Sequence, residues 1–233
     1  MKRLVVWLVV GLCLLSAGRF ADAGTDDWLV QKVSGSVNFA NGATSSKLLT
    51  GSRMSRGTVL RTGNNGRVLL VRNTESIFIG PNTVATIARH PFQNMRTTII
   101  LKRGAATFKV RTQERPHFSV ETPFLAAVVK GTSFSVRAGS TSAGVTVKEG
   151  IVHVRALSSG QYADLSAGQS AAVRDATTGA LTVTGTGQLP RIKKGSSRAP
   201  LIKATDVGPV SGAPDVSPAP NKGAKGKKNS KNK

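Results

Sequence analysis

The side chains that could carry chemistry are few. Histidine occurs three times: His90 before Pro91, His117 at the start of an alternating run, and His153 between Val152 and Val154. An imidazole can serve as a base or a metal ligand near neutral pH. His153, however, alternates with two inward valines, which is the pattern of a solvated strand residue. No His-x-x-x-His, Cys-x-x-Cys or Asp-rich calcium loop occurs, so a metal centre would need ligands gathered from scattered places. Glu121, Glu149 and Asp164 sit singly at strand edges or turns. Nothing marks a carboxylate pair at the separation of about 5–10 Å that glycoside hydrolysis uses. Ser133, in Gly131-Thr132-Ser133-Phe134, is not in a Gly-x-Ser-x-Gly elbow and has no recognisable His and Asp partners. The expectation is a protein that is not an enzyme, with no catalytic residue, metal site or cofactor.

The elements that must position these residues read as strands. Phe118 and Val120 alternate with His117, Ser119 and Glu121, and Phe134 and Val136 alternate with Ser133, Ser135 and Arg137. Period-two alternation predicts strands with one wet face. Val68 to Val71, Ile77 to Ile79 and Ile99 to Leu101 are apolar throughout, which predicts central strands covered on both faces. Two turn signals read as hairpins: Asn64-Asn65-Gly66, between Val59-Leu60 and Val68-Leu69, and Glu149-Gly150, between Val145 to Lys148 and Ile151 to Arg155. No stretch after Gly24 sustains a helical apolar period, and no strict repeat of 20 to 50 residues appears. The predicted fold is all-β, either a compact two-sheet sandwich or a short irregular β-solenoid.

Residues 1–23 read as a signal peptide, with Lys2 and Arg3 before the apolar Leu4 to Leu15 and a small-x-small site at Ala21-Asp22-Ala23. That apolar run is short of the roughly 20 residues needed to span a bilayer. Cys13 is the one cysteine, and Leu12 before it is not the small residue that lipoprotein cleavage needs. Cleavage would leave no thiol, no disulfide and no transmembrane span. Residues 24–188 form the predicted β domain. The formal net charge is +22, carried most densely by residues 189–233, a Pro-, Ala- and Lys-rich stretch ending in Lys222, Lys225, Lys227, Lys228, Lys231 and Lys233. With so few large apolar residues it cannot offset chain entropy, so a disordered tail is expected.

One segment carries a family likeness. Thr122-Pro123, then Lys130-Gly131-Thr132 with Phe134, then Val145-Thr146-Val147-Lys148-Glu149-Gly150, resembles the core signature of the FecR family. Leu60-Arg61-Thr62-Gly63, Ile77 to Thr83 with its Pro81-Asn82-Thr83 corner, and Ala167-Gly168-Gln169 extend the resemblance over roughly Gly35 to Val173. Lys130 stands where Arg is usual, and Asn73-Thr74-Glu75-Ser76 replaces a tighter Asp-Gly-Ser turn. The resemblance implies an exported, periplasmic or secreted sensor, regulatory or protein-interaction module linked to iron-uptake signalling. Better-known relatives also carry a cytoplasmic anti-sigma segment and a transmembrane helix, for which this chain has no room. A chain of this kind would not hold a sigma factor itself.

On the residues alone, Gly131-Thr132 is read as a packing device. Gly lets backbone approach closely or adopt positive φ, and the Thr hydroxyl satisfies a turn amide or carbonyl. Glu149 is expected to pair with Lys148 or a nearby Arg. The expected partner is an envelope protein. The alternative is an anionic envelope polymer such as peptidoglycan, lipopolysaccharide or polysaccharide, held by the basic tail through salt-sensitive attraction. Nucleic acid is disfavoured by the export signal and by phenylalanines that sit in core-like patterns rather than on a stacking platform.

Overall fold

The computed structural model describes residues 27–42, 44–88, 97–175 and 177–201. Among the described residues there are 18 strands and no helix. His90, the signal-peptide reading with Cys13, and the tail lysines from Lys222 to Lys233 lie outside them. In chain order the strands begin with β1 (Trp28–Ser34), β2 (Val37–Asn41), β3 (Thr44–Lys47), β4 (Arg53–Met54), β5 (Val59–Thr62) and β6 (Arg67–Arg72). Then come β7 (Glu75–Ile79), β8 (Val84–Ala88), the long β9 (Thr97–Lys109), β10 (Phe118–Glu121), β11 (Leu125–Val129) and β12 (Ser133–Ala138). The last are β13 (Ala143–Glu149), β14 (Ile151–Ala156), β15 (Gln161–Ser166), β16 (Gln169–Val173), β17 (Leu181–Gly185) and β18 (Lys193–Lys194).

These strands pair into two layers. Sheet A runs β4-β1-β6-β7-β9-β12-β13-β16-β17. Sheet B runs β3-β2-β5-β8-β9-β10-β11-β14-β15-β18. Strand β9 serves both, pairing with β8 and β10 through its first half and with β7 and β12 through its second. It turns at Gly104, whose φ of +95° and close approach to Thr83 exclude a side chain. The layers share one apolar core. Phe118 of sheet B meets Phe108 and Trp28 of sheet A edge-on at 5.8 and 6.4 Å, and Phe108 stacks on Phe134 at 5.1 Å. Each ring pair is worth about 0.5–1.5 kcal/mol beyond its buried area.

The chain is all-β, as the alternation predicts, but it travels between the layers differently from the reading of its turns. β5 pairs with β2 and β8 in sheet B, whereas β6 pairs with β1 and β7 in sheet A. Asn64-Asn65-Gly66 is therefore a corner between layers and not a hairpin. Glu149-Gly150 is likewise a corner, since β13 lies in sheet A and β14 in sheet B. Successive strand pairs are laid alternately on the two sheets, β10-β11 on B, β12-β13 on A, β14-β15 on B and β16-β17 on A. The sandwich thus grows along its length in the manner of a solenoid, and its corners stack.

Burial departs from the sequence pattern in two places. Ile99, Ile100 and Leu101 are covered on both faces, but Leu69 and Val71 are only half-buried and Phe78 is 44% exposed. β6 and β7 therefore turn one apolar row outward. Conversely, His117, Ser119 and Glu121 are buried rather than wet, because remote segments supply their partners. Residues 189–201 are among those segments. Lys193 and Lys194 pair with Tyr162 and Gln161, and Arg198 N donates to Leu157 O at 2.9 Å. The described body thus runs past residue 188, the boundary that composition suggests.

Candidate interaction site at the Gly131 corner

The residues singled out by the sequence separate into two ends of β11 and one core position. At one end, the Thr122 hydroxyl accepts from the amides of Phe124 and Leu125 at 3.2 and 3.0 Å and donates to Leu125 O at 3.0 Å. Thr122 and Pro123 thereby close the β10-β11 turn, with Pro123 fixing its own φ. Both are buried. Phe134 is core, stacked on Phe108. At the other end of β11, Lys130-Gly131-Thr132 carries the chain from sheet B to sheet A.

There the corner is built by close approach. A Cβ on Gly131 would collide with Thr112 Cα, and Gln113 N and Val110 N donate across the corner to Lys130 O at 2.8 Å and Thr132 O at 2.9 Å. Gly150 stacks on this corner with φ +82°, where a Cβ would sit 2.7 Å from Gly131 O. Gly131 is thus required by contact, and Gly150 by both contact and backbone sign. Gly131→Val is expected to destabilise the fold by about 1–3 kcal/mol through overpacking. Thermal melting of the purified protein checks this, and an unchanged midpoint would remove Gly131 from the structural account.

Two roles assigned from the residues alone are not formed. The Thr132 hydroxyl is buried without a hydrogen-bond partner among the described residues, although the residue is only 5% exposed. Two of the corner's carbonyls, Lys130 O and Thr132 O, accept instead from the amides of Gln113 and Val110. Glu149 makes no ion pair among the described residues; it is exposed and lies opposite Ser133 at a β-bulge. A shallow groove brings together Lys109, Arg111, Thr112, Thr132, Glu149 and Gly150, with exposed Lys130 beside it in the chain. Lys109, Arg111 and Lys130 form no ion pair among the described residues. Among the described residues the corner thus offers exposed, unpaired charges of both signs, the equipment of polar recognition. Ser133 and Glu149 line the same groove, and no hydrogen bond joins their side chains among the described residues.

Other polar groups carry geometry that the sequence pattern does not reveal. Arg72 Nη2 donates to Glu75 Oε2 at 2.8 Å and to Thr97 Oγ1 at 2.6 Å, and its guanidinium lies 4.4 Å from the Trp28 ring centre. His117 Nε2 lies 3.1 Å from Glu75 Oε1. Burial pushes the Glu75 carboxyl up, but hydrogen bonds from Arg72 and His117, with their charges, outweigh it and hold it below the ordinary carboxylate value. This cluster ties the β6-β7 turn in sheet A to the starts of β9 and β10 in sheet B. The opposite charges flanking Asn73-Thr74 were the one available signal, since His117 lies 42 residues away. On the outer face of sheet B, His153 Nδ1 lies 2.7 Å from Asp164 Oδ1 and its ring 5.4 Å from that of Tyr162. No hydroxyl is bonded to His153 among the described residues. Nor does any group of three or more His, Cys, Asp or Glu side chains gather there as metal ligands do.

Glu121 is held from the far end of the chain. Arg198 Nη1 and Nη2 reach its two carboxylate oxygens at 3.2 and 2.5 Å, and Leu201 N donates to Oε1 at 2.6 Å. Glu121 is 4% exposed, so the fork supplies the compensation that a buried carboxylate needs. A separation of 77 residues hides this pair from any local pattern.

No curated protein matches the chain. Two crystal structures of a "putative anti-sigma factor" from Parabacteroides distasonis ATCC 8503 align with TM-score 0.47 and 21% identity. Each alignment covers 55% of this chain and 59% of that chain, so the likeness spans under two thirds of those structures. The family model described as FecR protein matches residues 58–153, which include both ends of β11 and the Gly131 and Gly150 corners. The match is narrower than the Gly35 to Val173 span of the motif likeness and leaves Ala167-Gly168-Gln169 outside. Residues 58–153 of this chain are thus similar to the FecR family.

Proposed function

We propose that the protein is a non-catalytic regulatory module of the FecR type, exported from the cytoplasm, that binds a partner protein at the corner formed by Lys130, Gly131, Thr132 and Glu149. The observation that carries this reading is the set of exposed charges at the corner, Lys109, Arg111, Lys130 and Glu149, none of them in an ion pair among the described residues, inside the family-matched segment. Export rests on the order of charge, apolar run and small residues in positions 1–23. The link to iron-uptake signalling rests on the family resemblance. In this reading the glycines shape the surface and the exposed charges around them choose the partner.

A photo-cross-linking residue at position 130, carried by the full chain in intact cells, tests the proposal. A discrete protein adduct that disappears with Arg111→Glu and Glu149→Lys supports it. No adduct at position 130, with adducts from the opposite end at position 158, would move the partner elsewhere.

A further inference from the structure

The outer face of sheet A carries a row of side chains that the family signature does not explain. Phe78 on β7 lies opposite Thr107 on β9, Thr107 opposite Ser135 on β12, and Ser135 opposite Thr146 on β13. Thr146 faces Ser170 on β16, and Ser170 faces Thr184 on β17. Five hydroxyls thus stand in one line across the strands, with an exposed aromatic ring at its end. Adjacent strands are about 4.8 Å apart, so the row repeats at that interval and spans about 24 Å. Thr107 bonds to Ser135 at 2.9 Å and Ser170 to Thr146 at 3.0 Å. A hydroxyl has one donor and two acceptor sites, so each keeps capacity for a ligand.

Cations flank the row on both sides. Lys109 and Lys148 stand two residues from it on one side. Arg137 and Arg174 wall a groove on the other, with Gly144 and Ala172 as its low floor. These four cations are exposed and form no ion pair among the described residues.

We propose that this face binds an extended acidic glycan, a chain of pyranose uronates laid across the strands. Three matches point to that ligand. The strand interval is close to the length of one pyranose residue, so successive sugars meet successive hydroxyls. In a two-fold glycan ribbon successive carboxylates point to opposite edges, where Lys109 and Lys148 answer one set and Arg137 and Arg174 the other. The Phe78 ring, 44% exposed, can cover the apolar face of a terminal sugar. An acidic peptide fits less well, because same-side residues of an extended chain recur at about 6.6 Å, out of step with the row.

Calorimetric titration of the full-length protein with (1→4)-linked oligogalacturonates of one to eight units tests the proposal. Affinity should climb with each unit to about five and then level off, the row being about 24 Å long. Arg137→Gln with Arg174→Gln should weaken the five-unit ligand at least tenfold. The charge-neutral pair Thr146→Val with Ser170→Ala should weaken it several-fold with an unchanged melting temperature. Replacing Lys222, Lys225, Lys227 and Lys228 by Gln should leave the length dependence in place. The proposal is overturned if affinity tracks net charge alone, if the hydroxyl variants bind as tightly as the parent, or if polyglutamate of equal charge competes equally well.

Discussion

Arg72→Met is expected to lower the stability of the fold by about 3–5 kcal/mol, the usual consequence of removing one partner from a buried ion pair. Arg72 donates to Glu75 and Thr97 in a site where both charged side chains are nearly covered. Without the guanidinium, Glu75 keeps only His117 among the described residues and remains out of water. At about 2–4 °C per kcal/mol for a domain of this size, the midpoint should fall by roughly 6–20 °C. Adding Glu75→Gln should restore much of the loss, because the uncompensated charge goes with it. The same cluster sets an acid limit. The folded-state carboxyl of Glu75 lies below its ordinary value, so its contribution is fully present above the unfolded value of about 4.5 and lost as pH falls through the folded one. Melting curves from pH 7 down to 3 should show this fall in the parent and a flatter profile in the double variant. A parent and Arg72→Met that melt together would remove the cluster from the account.

Ending the chain after residue 188 should cost about 2–4 kcal/mol, whereas ending it after residue 201 should cost almost nothing. The shorter form loses the β18 pairing and the Arg198 fork, leaving Glu121 buried with no counter-charge. The estimate sits below the full value for a buried pair because Arg198 is 43% exposed and partly screened. Arg198→Ala alone should reproduce about half the loss. Chemical denaturation of the three truncated or substituted forms decides it. Equal midpoints for the forms ending at 188 and 201 would show that residues 189–201 merely lie on the surface.

These two predictions concern features that the sequence hides for a definite physical reason. Alternation reports which residues share a face, so Phe118, Val120, Phe134 and Val136 were legible as core and the all-β class with them. It does not report what covers the other face. Ser119 and Glu121 look wet until Thr98 and Arg198 are placed against them. Phe78, in an apolar run that reads as central, faces outward because no described residue covers that face of β7. Turn residues were legible as reversals, but Asn65-Gly66 and Glu149-Gly150 do not say whether the next strand returns to the same sheet. That choice is set by long-range packing of β6 on β1 and of β14 on β11. At the candidate site, Thr122 does the hydroxyl work foreseen for Thr132, and Gly131 serves by contact with Thr112, a residue that no motif marks.

The central claim is that the Gly131 and Gly150 corners, inside the segment similar to the FecR family, shape a recognition surface in the body, separate from the charge of the last residues. Its most direct measurement is the position-130 cross-link repeated on a chain ending after residue 201, at low and at physiological salt. The account predicts the same discrete protein adduct from both chain lengths and at both salt concentrations. An adduct that vanishes with residues 202–233, or that salt alone disperses, would contradict it and assign recognition to the basic extension.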